Sequence, residues 1–190
     1  MRLLIYLVCV FSMHLTSAQT TGDIILWNKD IKLSWTDFHA LPSKTSKYAA
    51  NSHCGIKIDF NEKTNVVEII VESQFTRSKS WNKPGLRSDN LLRHEQGHFD
   101  MTELFARKLR KKISNLNISS KKDVDRFSRK VNELFNATYE KFQRESVKYD
   151  EKTNHSENIK EQEEWTEDIQ EDLDSMEEYT NTKVSLTISE

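Results

Sequence analysis

The run His94-Glu95-Gln96-Gly97-His98 sets two imidazoles four residues apart with a carboxylate beside the first. On an α-helix, residues at that spacing project from one face, so both rings can offer a nitrogen to a single tetrahedral Zn2+. Glu95 lies about 100° further round the helix, where its carboxylate can reach a metal-bound water without ligating the metal. These residue types suit hydrolysis. The metal lowers the pKa of the water and polarises a carbonyl, while Glu95 acts as general base and passes the proton to the leaving amine.

Two histidines hold zinc weakly, and catalytic sites commonly add a third protein ligand. The residues leave four candidates open: His155, Glu133, Glu140 and His53. Tyr149 is a candidate hydrogen-bond donor to the oxyanion of the transition state. Asp100 and Glu103 stand where they can orient ligand imidazoles or pair with nearby arginines. Gly97 inside a helix costs about 1 kcal/mol relative to alanine and calls for a close neighbour. The long metzincin pattern is excluded, because it requires glycine at Met101 and histidine at Leu104.

A helix must carry these groups. Leu91, Leu92, Phe99, Met101, Phe105, Leu109 and Ile113 recur at helical spacing from about Ser88, with Ser88, Asp89 or Asn90 as cap and Pro84-Gly85 breaking the chain upstream. Val124, Phe127, Val131, Leu134, Thr138 and Phe142 predict a second helix, running back antiparallel and ending near Tyr149. A polar loop to about Glu157 leads to a third helical pattern with Ile159, Trp165, Ile169 and Leu173. Upstream, the alternation of Ile56, Ile58 and Phe60, then Val67, Ile69, Val71 and Phe75, predicts a β-hairpin with one buried face. Ile24 to Trp27 and Leu33 to Trp35 suit extended edge segments. The fold class expected is α+β, a small antiparallel sheet followed by two or three packed helices.

The helix motif Leu91-Leu92-Arg93-His94-Glu95-Gln96-Gly97-His98-Phe99-Asp100, with Glu103 and Arg107 behind it, resembles a bacterial family described as predicted secreted zinc-dependent proteases. The resemblance extends to Trp35-x-x-Phe38, Ala49-Ala50 and Ser80-Trp81, and downstream to Tyr149-Asp150-x-x-Thr153-x-His155 and Gln162-x-x-Trp165. It implies a zincin-like active-site helix and favours His155, in the second motif, as the third zinc ligand. Ser156 departs from the glycine expected there.

The 190 residues, 36% of them hydrophobic, suffice for one domain. Residues 1–18 read as a signal peptide, with Arg2, a short apolar run and Ser17-Ala18 at the cleavage positions, which places the mature protein in the periplasm or outside the cell. Cys54 is then the only thiol left, so no intrachain disulfide is available. Residues 19–175 form the expected metallohydrolase domain and 176–190 an acidic, disordered tail. From 157 onward, 12 acidic residues stand against 2 basic ones, so within a net charge of −2 the remainder carries +8. The basic residues gather at a helix C-terminus, where they complement the macrodipole, and no nucleic-acid partner is expected. No transmembrane segment is expected after cleavage. The sequence thus predicts a zinc-dependent metallopeptidase acting on a peptide or protein substrate. The alternative is a zinc-binding, non-peptidase protein that modifies or recognises cell-envelope components.

Overall fold

In the computed structural model the described residues are 22–42 and 44–188. The leader read over residues 1–18 lies outside them. Six short to medium strands and three α-helices follow one another in an α+β arrangement. The predicted hairpin forms as β3 (Cys54–Glu62) and β4 (Val66–Thr76), paired antiparallel from Cys54 with Phe75 to Glu62 with Val67. Along β4, Val67, Ile69, Val71, Ser73 and Phe75 alternate into the interior, the period-2 pattern of a sheet covered on one face. The other side of β4 is shared. β1 (Ile24–Leu26) pairs with its C-terminal end and β6 (Lys183–Thr187) with its N-terminal half. A separate two-stranded sheet joins β2 (Ala50–Asn51) to β5 (Trp81–Asn82). Leu33 to Trp35, expected to be extended, instead leads into a 3-10 turn at Trp35–Asp37, where the Asp37 carboxylate accepts from the Ser34 backbone N–H at 2.8 Å.

Helix α1 (Asp89–Ser114) begins at Ser88, whose hydroxyl accepts from the Leu91 N–H at 3.0 Å, so of the three caps the sequence offers, Ser88, Asp89 and Asn90, the first is the N-cap. It is the central element, with the sheet against one side and α2 (Val124–Lys152) and α3 (Ile159–Ser175) against the other. Burial on several faces explains why α1 is apolar well beyond a single stripe. The main core joins Val67, Ile69 and Val71 of the sheet to Leu104, Leu109 and Ile113 of α1, Phe127 and Phe142 of α2, and Ile169 and Leu173 of α3. A smaller cluster of Ile25, Leu33, Phe38, Phe75 and Phe99 seals the first half of α1. Gln96 fastens this layer: its carbonyl accepts from the Leu33 N–H, and its amide donates to Asp100, which also accepts from the Trp27 indole, each at 2.8 Å. Asp100 is therefore a tether for the N-terminal segment.

The C-terminal stretch departs from the expectation of a disordered acidic tail. Its few apolar residues are placed by pairing: Lys183 to Thr187 add a strand to β4, and Ile188 is buried after its N–H reaches the Asn65 carbonyl. A short alternating strand gives too little periodicity to be read beside a strongly acidic helix. A buried charge cluster holds the junction. Glu103, 3% exposed, meets Arg107 at 3.0 Å and Arg110 at 2.8 Å. Arg110 also donates to the carbonyls of Val71 and Tyr179, and Arg107 to that of Leu173. One carboxylate thereby positions two guanidinium groups that bind β4, the end of α3 and the approach to β6.

Glu103→Ala leaves two buried guanidinium groups without their carboxylate, which is expected to cost about 3–5 kcal/mol of unfolding free energy in a denaturant titration. A loss below about 1 kcal/mol would show that backbone carbonyls alone satisfy the arginines.

Candidate metal centre

His94 and His98 project from the second and third turns of α1 toward the last turns of α2. Their rings pack edge-on with centroids 4.9 Å apart. Nε2 of His94 lies 3.0 Å and Nε2 of His98 2.9 Å from the same atom, Oδ1 of Asp150. Among the described residues these three form the group of histidine and carboxylate ligand atoms that can hold a metal ion, all within 4.8 Å of one another. Asp150 occupies the place expected of His155. The apolar period of the sequence stops near Tyr149, and the polar residues beyond it read as loop, whereas the helix continues to Lys152. Asp150 is thus in phase with Ser146 and Thr153, on the turns before and after it.

Those two hydroxyls hold the imidazoles. Ser146 Oγ lies 3.0 Å from Nδ1 of His98, and Thr153 Oγ1 lies 3.3 Å from Nδ1 of His94. The Thr153 hydroxyl proton is directed to the Tyr149 carbonyl at 2.7 Å. The oxygen is left to accept from His94, which puts a ring proton on Nδ1. The Asp150 carboxylate 3.0 Å from Nε2 then calls for a positive charge there, either a second ring proton donated to Asp150 as a hydrogen bond or a metal ion in its place. A metal ion meets that demand and suits the donors, two imidazole nitrogens and one carboxylate oxygen. Metal-binding histidines ordinarily donate the far ring N–H to a carboxylate, a backbone carbonyl or water, and here the Ser146 and Thr153 hydroxyl oxygens stand in that position.

The electrostatics arise from burial and this shared contact. Burial pushes the Asp150 carboxyl up, but the hydrogen bonds and charges of both histidines outweigh it and hold the group well below the usual carboxylate range. For His94, burial prevails over the Asp150 hydrogen bond, and the ring is less basic than usual. For His98 burial pulls the same way, but the Asp150 hydrogen bond, with the charges of Asp150 and Glu95, leaves it more basic than usual.

Glu95 shares a cavity of about 430 Å3 with His94, His98, Asp150 and His155. Its carboxylate accepts a short hydrogen bond from the Ser52 hydroxyl, in the residues linking β2 to β3. Sequence alone does not single out Ser52, since a serine before a strand carries no distinguishing pattern.

The remaining candidates fall elsewhere. His155 stands at the mouth of the cavity, its side chain 39% exposed, with its ring on Tyr48 at 4.5 Å and Nδ1 at 3.7 Å from Asp150 Oδ1. It lies outside the three-ligand group, because the chain leaves α2 through three successive left-handed residues, Asn154, His155 and Ser156 at φ 46°, 52° and 83°. Non-glycine residues rarely adopt this conformation. Ser156 is the position where glycine was expected, and its carbonyl is held by the Asn90 amide. Glu133 and Glu140 lie on the exposed side of α2, near Lys130 and Arg144. His53 lines the same cavity but lies outside the ligand group.

Tyr149 is not placed to meet a substrate. It is fully buried, stacked on His94 with centroids 4.6 Å apart, and its hydroxyl donates to the His94 carbonyl at 3.3 Å. Burial, with the charges of Glu95 and Asp150, keeps the phenol neutral far above its ordinary range. This tyrosine also accounts for Gly97. A Cβ there would come 2.5 Å from Tyr149 Oη and 2.9 Å from Cζ, closer than packed atoms approach.

The profile of a family described as "Bacterial protein of unknown function (DUF922)" matches residues 71–156. That stretch holds all of α1 and α2, including His94, Glu95, His98, Asp150 and His155. No curated protein and no solved structure matches the chain.

Tyr149→Phe removes one long hydrogen bond but keeps the stack, so it should cost about 1 kcal/mol in unfolding and leave metal binding intact. Gly97→Ala should cost about 1–3 kcal/mol and weaken metal binding, because the methyl must displace Tyr149 or bend α1. Denaturant titration with metal affinity measured alongside checks both, and an unperturbed Gly97→Ala protein would refute the tight contact.

Proposed function

We propose that the chain is a zinc-dependent hydrolase, most specifically a metallopeptidase, with His94, His98 and Asp150 as the metal ligands and Glu95 as general base. The observation that carries this reading is the convergence of two imidazoles and one carboxylate on the cavity into which Glu95 also opens. Zinc bound there would supply a water of lowered pKa and polarise the scissile carbonyl. The chain's own residues supply the remainder. Glu95 takes the water's proton and returns it to the leaving nitrogen. The Ser52 hydroxyl keeps the carboxylate aimed into the cavity and must yield or share its contact when Glu95 takes up the proton. Ser146 and Thr153 fix the ring orientations, and Tyr149 backs His94 from beneath, so the donors are held before any ion arrives.

A peptide or protein substrate fits the open cavity beside the short β2–β5 sheet. The site belongs in this reading to the periplasm or the cell exterior, supported by the leader-like pattern of residues 1–18 and by the bacterial family matched. Among the described residues no helix is long and apolar enough to cross a membrane.

Glu95→Gln should retain zinc and stability while losing hydrolysis of a peptide library by about a hundredfold or more, the scale of a general base. Retention of cleavage in that variant would remove Glu95 from the chemistry. A wild-type protein that binds zinc yet cleaves neither peptides nor folded proteins would replace the hydrolase reading with a binding role.

A further inference from the structure

One wall of the metal-site cavity is the short strand β2 with the residues on either side of it, and α1 and α2 supply the others. β2 pairs on one side with β5, whose far side is taken by the bridge from Ala40 to Trp81. The Lys83 N–H donates to the Ala49 carbonyl at 2.8 Å, and Ala50 stands opposite Asn82. This is the non-hydrogen-bonded pair of an antiparallel ladder, so the N–H and C=O of Ala50 point away from β5. Neither has a partner among the described residues.

Ala50 is only 8% exposed. Main-chain groups of a residue so nearly withdrawn from water ordinarily find partners. The backbone of another chain, laid in the cavity as a further strand, supplies a donor and an acceptor at once. Ser52, two residues on, holds the Glu95 carboxylate by its hydroxyl. Two residues of extended chain span about 7 Å, so a residue paired with Ala50 lies within about two positions of the bond that Glu95 would serve.

The charges of the cavity bear on which part of a chain fits. No lysine or arginine is among the described residues that line it, so the protein offers no fixed positive charge to a C-terminal carboxylate. Its two carboxylates, Glu95 and Asp150, are taken up by the Ser52 hydroxyl and by the two histidines. That leaves none for a terminal ammonium. Uncharged main chain suits the cavity better than either end.

We propose, resting on the metallopeptidase reading above, that the cavity takes the interior of an extended polypeptide, its backbone paired to Ala50 as a strand beside β2, and that the protein is an endopeptidase for segments free to adopt that form. A folded domain keeps its backbone groups paired internally and offers none to Ala50. A glycan or a lipid lacks the run of N–H and C=O groups that a strand presents.

The test uses the full zinc-loaded protein and mixtures of decapeptides randomised at every position. For cleavage, one mixture has free ends and another is acetylated and amidated, with the products read by mass spectrometry. The capped mixture should be hydrolysed at least as fast as the free one, and at internal bonds. For binding, the Glu95→Gln protein is titrated with the capped mixture and with the same mixture N-methylated throughout, which keeps every carbonyl for the metal but has no N–H. Methylation should weaken binding by about tenfold or more. Ala50→Pro removes the N–H from the open side of an edge strand, where proline is tolerated. It should weaken the capped mixture by about tenfold with zinc content and unfolding midpoint unchanged. If that variant fails to fold, the methylated mixture, met by an unaltered β2, decides the pairing. Cleavage confined to peptides with a free end, or equal binding of methylated and unmethylated mixtures, would overturn the proposal and leave the hydrolase reading in place. The expected binding pattern without cleavage by the wild type would instead remove the hydrolase reading, and the endopeptidase with it, while strand pairing at Ala50 stands.

Discussion

The last turns of α2 lie against the first turns of α1, and the contact between Tyr149 and Gly97 sets how close they come. A ring stacked on His94 with its hydroxyl over residue 97 requires the helices to approach without a side chain between them. That approach determines the position of Asp150, one residue on from Tyr149, and those of Ser146 and Thr153 on the neighbouring turns. A shift of one residue in this register would carry the carboxylate about 100° away from both imidazoles. The glycine's unfavourable helix propensity is thus the local cost of bringing three candidate metal ligands together from two helices.

The rest of the fold can be understood as keeping α1 fixed while that contact forms. The sheet packs on one side through Val67, Ile69 and Val71, and the Gln96 and Asp100 tether holds the N-terminal segment on another. Further along, Glu103 with Arg107 and Arg110 binds the helix to β4 and to the chain leaving α3. A buried carboxylate between two guanidinium groups is weak evidence of net stability, but parting them strands buried charge, which opposes movement of the elements they join. Rigid support of this kind suits a site whose donors must stay near one another before an ion neutralises them.

Much of this is legible in the sequence because hydrophobic period is a local signal. The hairpin, the three helices, the Ser88 cap and the facing pair His94 and His98 are all encoded in spacings within a few residues. Asp150 is not legible as a ligand, although it lies in the segment Tyr149 to His155 that carries the family resemblance. The polar residues there look like loop unless the α2 period is carried through Ser146, Asp150 and Thr153, and an aspartate is a less conspicuous ligand than the histidine five positions on. In the same segment Tyr149 reads as a polar aromatic near a site, while its burial against Gly97 depends on which helix it meets. Strand β6 is short, and its partner β4 is more than a hundred residues away, so pairing and not local pattern determines it.

The proposed metal centre depends on the carboxylate of α2, and not the histidine of the loop beyond it, supplying the third ligand. The most direct measurement is zinc bound per chain, with dissociation constants, in the wild type, Asp150→Ala and His155→Ala, each shown to be folded. With Asp150 as ligand, the wild type should hold about one zinc, Asp150→Ala should lose affinity by far more than the ten- to hundredfold typical of outer partners, and His155→Ala should keep near wild-type affinity. Tight zinc binding that survives the loss of Asp150 but collapses with His155 would contradict it.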